Sequence, residues 1–199
     1  MKVTLIISTY NSPNMLRLCL MSVAKQTVMP DEIIIADDGS TDETRKLIEE
    51  MAKSLPCPVK HAWQEDRGFR LAESRNNALR MCQGDYVVFI DGDIIMERHF
   101  IEDHKRLAEK GFFVVGSRSK LSAQASNRLF NKRNPNIHWF SKGVKNRFNA
   151  IYMPWLSFYT KNMYKKEWDK GRGANMAMFM SDLKAVNGFD SDMVGYGLE

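Results

Sequence analysis

A chain of 199 residues with 44% hydrophobic and 27% charged content has the bulk for one globular domain. Its three cysteines, Cys19, Cys57 and Cys82, are too few and too scattered for a disulfide framework or a zinc site. The net charge of +5 is uneven: the stretch 110–166 holds 12 Lys or Arg and no Asp or Glu, while the remainder carries 17 basic against 24 acidic residues, a balance of −7.

That basic stretch predicts an anionic partner, whether phosphates, an acidic glycan, nucleic acid or a membrane surface. No run approaches the roughly 20 apolar residues of a spanning helix. The apolar run in "MKVTLIISTYN" is too short for a signal segment, so the expectation is a cytoplasmic chain.

In chain order, "VTLII" (3–7) reads as a strand buried on both faces. Ser12 before Pro13 marks a helix start, and Leu16, Leu20 and Val23 give that helix an apolar stripe. "IIIAD" (33–37) is the next strand. A helix follows, with Ser40 or Thr41 as its cap and Leu47, Met51 and Leu55 on one face. "VKHAW" (59–63) is a weaker third strand. Leu71, Arg75, Ala78 and Cys82 mark a helix that runs to a stop at Gly84. "YVVFI" (86–90) is the fourth strand, a helix spans about 98–110, and "FFVVGS" (112–117) is the fifth strand.

This alternation predicts a mostly parallel sheet with helices on both faces. Ligands of such sheets bind outside the carboxyl ends of the strands. Polar clusters stand at those ends: "STYN" after the first strand, "DDGSTD" after the second, "DGD" after the fourth.

From about 119 to 170 the rhythm fails. The segment is basic and aromatic, with Trp139, Phe140, Phe148, Tyr152, Trp155, Phe158, Tyr159, Tyr164 and Trp168. One or two helices with loops are expected there. "GRGANMAMFM" (171–180) reads as a glycine loop entering a strand, and a short helix capped by Ser181 should end at Gly188.

The pair Asp91 and Asp93 brackets a glycine at the end of the fourth strand. Carboxylate oxygens suit Mg²⁺ or Mn²⁺, and such sites often take only one or two protein ligands, with phosphate oxygens and water completing the shell. Alone, two aspartates at that spacing most often form a solvated turn.

Together, "TLIISTYN", "QTVMPDEIIIADDGSTDET", "GDYVVFIDGDIIM" and "GFD" resemble an inverting family 2 glycosyltransferase of the GT-A fold. The end, "GRGANMAMFMSDLKAVNGFDSDMVGYGLE", resembles galactosyltransferase-like and bacterial chondroitin-polymerase-type enzymes. The resemblance implies an α/β nucleotide-diphospho-sugar transferase fold over a single catalytic domain, 1–199. Residues 1–118 would bind the nucleotide sugar, and 119–199 would face the acceptor, with a truncated C-terminus.

It also implies roles. Tyr10 and Asp38 would hold the nucleoside, the ring by stacking and the carboxylate by accepting the uracil imide N–H. Thr9 would line the same pocket, and Asp37 would be structural. Arg75 would reach the nucleotide or the acidic cluster. Asp91 would contact the ribose, and Asp93 would ligate Mn²⁺ or Mg²⁺. A general base must take the acceptor hydroxyl proton. The family places it just after a glutamate, which here is the last residue, so Glu199, Asp190 or Asp192 are the alternatives to a longer chain. Glu199 would also bind the acceptor sugar.

None of His61, His99, His104 and His138 has a claim as metal ligand: His104 falls on an apolar stripe as a core residue, and His99 points away from Asp93. The implied partners are a UDP-sugar donor and a glycan or lipid-linked sugar acceptor. Peripheral contact of 119–170 with the inner face of a membrane is also expected. The acidic strand ends argue against nucleic acid. The competing readings are a sugar-nucleotide nucleotidyltransferase, which lacks its glycine-rich phosphate loop in "STYNSPNML", and a donor-binding domain without catalysis. No G-x-G-x-x-G follows the first strand, against a dinucleotide enzyme.

Overall fold

A computed structural model describes residues 1–155, 173–193 and 195. Four strands, β1 (Val3–Thr9), β2 (Glu32–Asp37), β3 (Val59–Trp63) and β4 (Tyr86–Asp91), pair in parallel. Between them run α1 (Pro13–Val23), α2 (Asp42–Ala52) and α3 (Leu71–Arg80), and α4 (Phe100–Leu107) follows β4. Beyond come β5 (Val114–Val115), β6 (Lys120–Leu121), α5 (Ala123–Lys132), β7 (Val144–Lys145), a 3₁₀ turn at Arg147–Ala150, β8 (Asn175–Phe179) and α6 (Met180–Ala185).

The main sheet has the order β3-β2-β1-β4-β8-β5, with β8 antiparallel to both of its neighbours. A separate two-stranded ribbon pairs β6 with β7.

Both sheet faces are covered, which is why the first two strands read as unbroken apolar runs. Alternate residues divide between two cores. Leu5, Ile7, Ile33, Ile35, Val88 and Ile90 pack with Leu16, Leu20, Leu47 and Ile101 from α1, α2 and α4. Ile6, Ile34, Val87 and Phe89 pack with Ala72 and Ala78 of α3, Leu183 of α6 and Phe189.

The fifth strand and the start of the last helix differ from expectation. The fifth strand shrinks to Val114–Val115, because Phe112 and Phe113 lie exposed and the chain leaves the sheet at Gly116, whose N–H meets Asn175 O at 3.0 Å. Ser181 lies inside α6 rather than capping it: β8 runs straight into the helix, and Met180 N bonds Asp85 O at 2.8 Å. Gly188 does end that turn, in the left-handed region (φ 77°), with its N–H on Leu183 O. The expected caps Ser12 and Thr41 occupy their positions, but neither side chain bonds its own helix.

Candidate functional site

The ends of β1, β2 and β4 lie side by side, with Thr9 opposite Asp37 and Ser8 opposite Asp91. The three polar clusters therefore share one edge of the sheet. Their loops are stitched together rather than spent on helix caps. Asn11 N donates to Ser40 Oγ at 2.8 Å, Thr41 N to Asn11 Oδ1 at 2.9 Å, and Ser12 Oγ to Tyr10 O at 3.0 Å.

Asp37 is fully buried and structural. It accepts from Ser40 N at 2.9 Å and meets His61 Nε2 at 2.8 Å. Asp38 beside it is also buried, but its oxygens reach across the edge. They accept from Gln64 Nε2 and from Arg70 N, both at 2.7 Å. Burial pushes its carboxyl above the usual range, and the Arg70 and Gln64 bonds oppose that shift. Each carboxylate oxygen has a second lone pair, so Asp38 still has capacity for an N–H on a ligand.

Tyr10 stands half-exposed over this pocket, its hydroxyl donating to Asp66 Oδ2 at 2.9 Å. Gly39 lets the second loop approach the third. Its φ is +93°, and a Cβ there would fall 2.5 Å from Asp66 Cα. Thr9 Oγ1 is buried and, among the described residues, finds no hydrogen-bond partner. A buried hydroxyl without a partner is costly unless a ligand or water completes it.

At the end of β4, Gly92 turns the chain sharply: its N–H bonds Ser8 O at 2.7 Å, and a Cβ would come within 2.9 Å of the same oxygen. The two carboxylates on either side are thereby separated. Asp91 faces inward, between Arg75 Nη2 at 3.4 Å and Arg118 Nη1 at 4.0 Å. Asp93 is exposed. Burial raises the Asp91 carboxyl above its ordinary range. The Arg75 guanidinium opposes the shift, and the Asp93 charge adds to it.

Arg75 is only 1% exposed. It donates to Ser8 Oγ at 3.2 Å and to Gly173 O at 3.0 Å, and packs over the Phe89 and Phe189 rings. A buried guanidinium needs partners of this kind. The helical stripe that placed Arg75 on the inner face is borne out.

Among the described residues no three or more His, Cys, Asp or Glu gather as a ready metal cage. Asp91 and Asp93 offer hard oxygen donors on one turn, and that sparse set suits a cation whose remaining ligands are phosphate and water. His104 is a core residue: buried, edge-on to Phe100, its Nε2 3.2 Å from Asn175 Oδ1. His99 meets Glu97 at 2.9 Å and stacks on Tyr152.

Of the base candidates, Asp190 is exposed and closes its own turn, Oδ1 accepting from Asp192 N at 3.0 Å. The turn follows Phe189, whose backbone is held by Asn76 of α3 at 2.7 and 3.0 Å. Glu199 lies outside the described residues. Gly195 N reaches Phe69 O at 3.4 Å, so the chain returns beside the Asp38–Arg70 pocket.

The sequence reading missed Gln64, Asp66, Arg70 and Arg118. "QEDRG" after the third strand is a fourth polar cluster on the same edge, and the weakness of that strand concealed it.

The family described as Glycosyl transferase family 2 matches residues 4–184. A validoxylamine A glucosyltransferase of Streptomyces hygroscopicus subsp. limoneus is 25% identical over 98% of this chain and 45% of its own length. Among solved structures, the mannosyltransferase PcManGT of Pyrobaculum calidifontis, in complex with GDP-Man and Mn²⁺, superposes with a TM-score of 0.64 at 22% identity, covering 96% of this chain and 48% of that one. S. aureus TarS 1–349 in complex with UDP gives 0.57 at 20% identity over 96% and 51% of the two chains. The chain thus spans about half the length of these relatives. The shared architecture is the GT-A fold, as the sequence reading expected.

Proposed function

The chain belongs to glycosyl transferase family 2, and from that premise we propose that it transfers a sugar, with inversion, from a UDP-sugar to an acceptor hydroxyl with the help of Mn²⁺ or Mg²⁺. The observation that carries this reading is the convergence of Tyr10, Asp38 and Asp91 on one sheet edge, with Arg75 tied to Ser8 and Asp91 beneath them. TarS bound to UDP and PcManGT bound to GDP-Man and Mn²⁺ lend it support.

In this reading Tyr10 stacks on the base and Asp38 accepts its imide N–H. Gln64 and the Arg70 N–H fix the orientation of Asp38. Thr9 Oγ1 gains the partner it lacks. Asp91, steadied by Arg75, receives the ribose. Asp93 holds the divalent cation, which would neutralise charge on the departing diphosphate.

The acceptor hydroxyl loses its proton to a carboxylate of the C-terminal segment as its oxygen attacks the anomeric carbon. Asp190 and Glu199 are the candidates. The acceptor in this reading is a glycan or a lipid-linked sugar, taken by the half of the chain that follows β5.

Calorimetric titration with UDP, with and without Mn²⁺, tests the reading. Asp93→Ala is expected to abolish the metal-dependent part of UDP affinity while leaving thermal stability unchanged. Asp38→Ala should weaken UDP by about tenfold, a bond's worth, and bare diphosphate hardly at all. Mn²⁺-dependent UDP binding that survives in Asp93→Ala would sink the metal assignment. Equal losses for UDP and diphosphate would remove Asp38 from the base pocket.

A further inference from the structure

Two tight turns flank β7, and both carry aromatic rings at their centres. In the first, Ser141 N bonds His138 O at 2.9 Å and His138 N bonds Ser141 Oγ at 3.0 Å, leaving Trp139 and Phe140 at the tip. In the second, Asn149 N bonds Asn146 O at 3.0 Å, leaving Arg147 and Phe148 at the tip. Turn centres ordinarily take Gly, Pro, Asn, Asp or Ser. Here Phe148 is 85% exposed, Phe140 62% and Trp139 47%.

The turns are held in place. Ser122 N bonds Gly143 O at 2.8 Å, and Gly143, at φ +95°, sits so close to α5 that a Cβ would fall 2.5 Å from Ser122 Oγ. Ser119 Oγ bonds Asn146 O at 2.9 Å. Phe140 stacks on His138 at 5.3 Å and meets Trp139 edge-on at 5.7 Å. The rings are thus presented on a braced ribbon.

Between and beside them stand the exposed cations Lys142, Lys145 and Arg147, in a stretch without a single acidic residue. A merely solvated face would mix both signs and few rings. Aromatic tips among cations of one sign match the interface of an anionic bilayer, where rings enter the headgroup boundary and cations meet lipid phosphates. A glycan-binding site would need a concavity around these rings, whereas turn tips project.

We propose that the two turns around β7 dock this chain on an anionic lipid bilayer, with Trp139, Phe140 and Phe148 entering the interface and Lys142, Lys145 and Arg147 engaging the headgroups. The attachment needs no donor, so it stands or falls apart from the transfer reading.

Co-sedimentation of the full chain with vesicles tests it. Binding is expected to phosphatidylglycerol–phosphatidylcholine vesicles and not to phosphatidylcholine alone. It should weaken by about fivefold for each cation removed in Lys142→Ser and Lys145→Ser. The triple change Trp139→Ser, Phe140→Ser, Phe148→Ser should cost tenfold or more, because it removes all three apolar rings from the interface. The three single variants should each show part of that loss, and an unchanged urea midpoint shows that each still folds.

Brominated acyl chains should quench tryptophan emission in the parent and less in Trp139→Phe, which keeps the apolar ring. Undiminished vesicle binding by the triple variant overturns the proposal. So does equal binding to neutral vesicles, or binding to a soluble anionic polysaccharide with none to vesicles.

Discussion

The two halves of the described chain solve opposite problems. Up to β4, the strand ends are braced by polar bonds at or below the surface: Asp38 to Gln64 and Arg70, Arg75 to Ser8 and Asp91. From Gly116 to Ala150 the secondary structure is a ribbon of two two-residue strands, one helix and a 3₁₀ turn, and Trp139, Phe140 and Phe148 face outward. The first region buries Asp37, Asp38 and Arg75 among partners, whereas the second leaves Lys142, Lys145 and Arg147 exposed to water, with Arg118 reaching Asp91 at 4.0 Å. Substitutions in the first should therefore act through stability and donor affinity together, whereas those in the second should act on surface contacts alone.

Arg75→Leu should break this comparison hardest. It removes the buried cation beneath Asp91 and strands the Gly173 carbonyl, so a loss of about 3 kcal/mol is expected in urea unfolding. A loss below about 1 kcal/mol would mean that Arg75 does not brace the edge.

His104 gives a smaller effect with a definite sign. Burial lowers its pKa from 6.5 to about 4, so the unfolded chain binds the extra proton more readily than the folded one. Stability is complete above about pH 6.5 and falls as the pH drops toward about 4, by at most about 3 kcal/mol. His104→Gln should flatten that slope in a pH series of thermal melts, and an unchanged slope would move its origin elsewhere.

Smallest of all, Lys145→Ser should change the urea midpoint by an amount equivalent to less than about 0.5 kcal/mol, because its side chain is exposed. A larger change would show that the ribbon's cations carry folding energy after all.

The same division explains what could be read from residues alone. Val3–Thr9 and Tyr86–Asp91 were legible because strands buried on both faces are uniformly apolar. Arg75 was legible because a helical stripe forces a charge inward where it must find a partner. The placement of β8 between β4 and β5 was not, since a five-residue strand after a long excursion carries no local mark of its neighbours or direction. Gln64 and Arg70 escaped because one acts through an amide and the other through its backbone N–H, and neither advertises chemistry by residue type. The β6–β7 ribbon has two residues per strand, too short for any alternation to register.

The position of β8 has a consequence for how the chain is made. β4 and β5 both take β8 as a sheet partner, and β8 is synthesised about sixty residues after β5. At about 5–20 residues per second, the parallel strands can assemble on the ribosome several seconds before their edge is closed. During that interval β4 offers an unpaired row of N–H and C=O groups, the kind of template that recruits stray strands. A chain that assembles its parallel strands early passes through this open-edged state at birth, and aggregation should then be decided in the nascent chain more than in the finished protein.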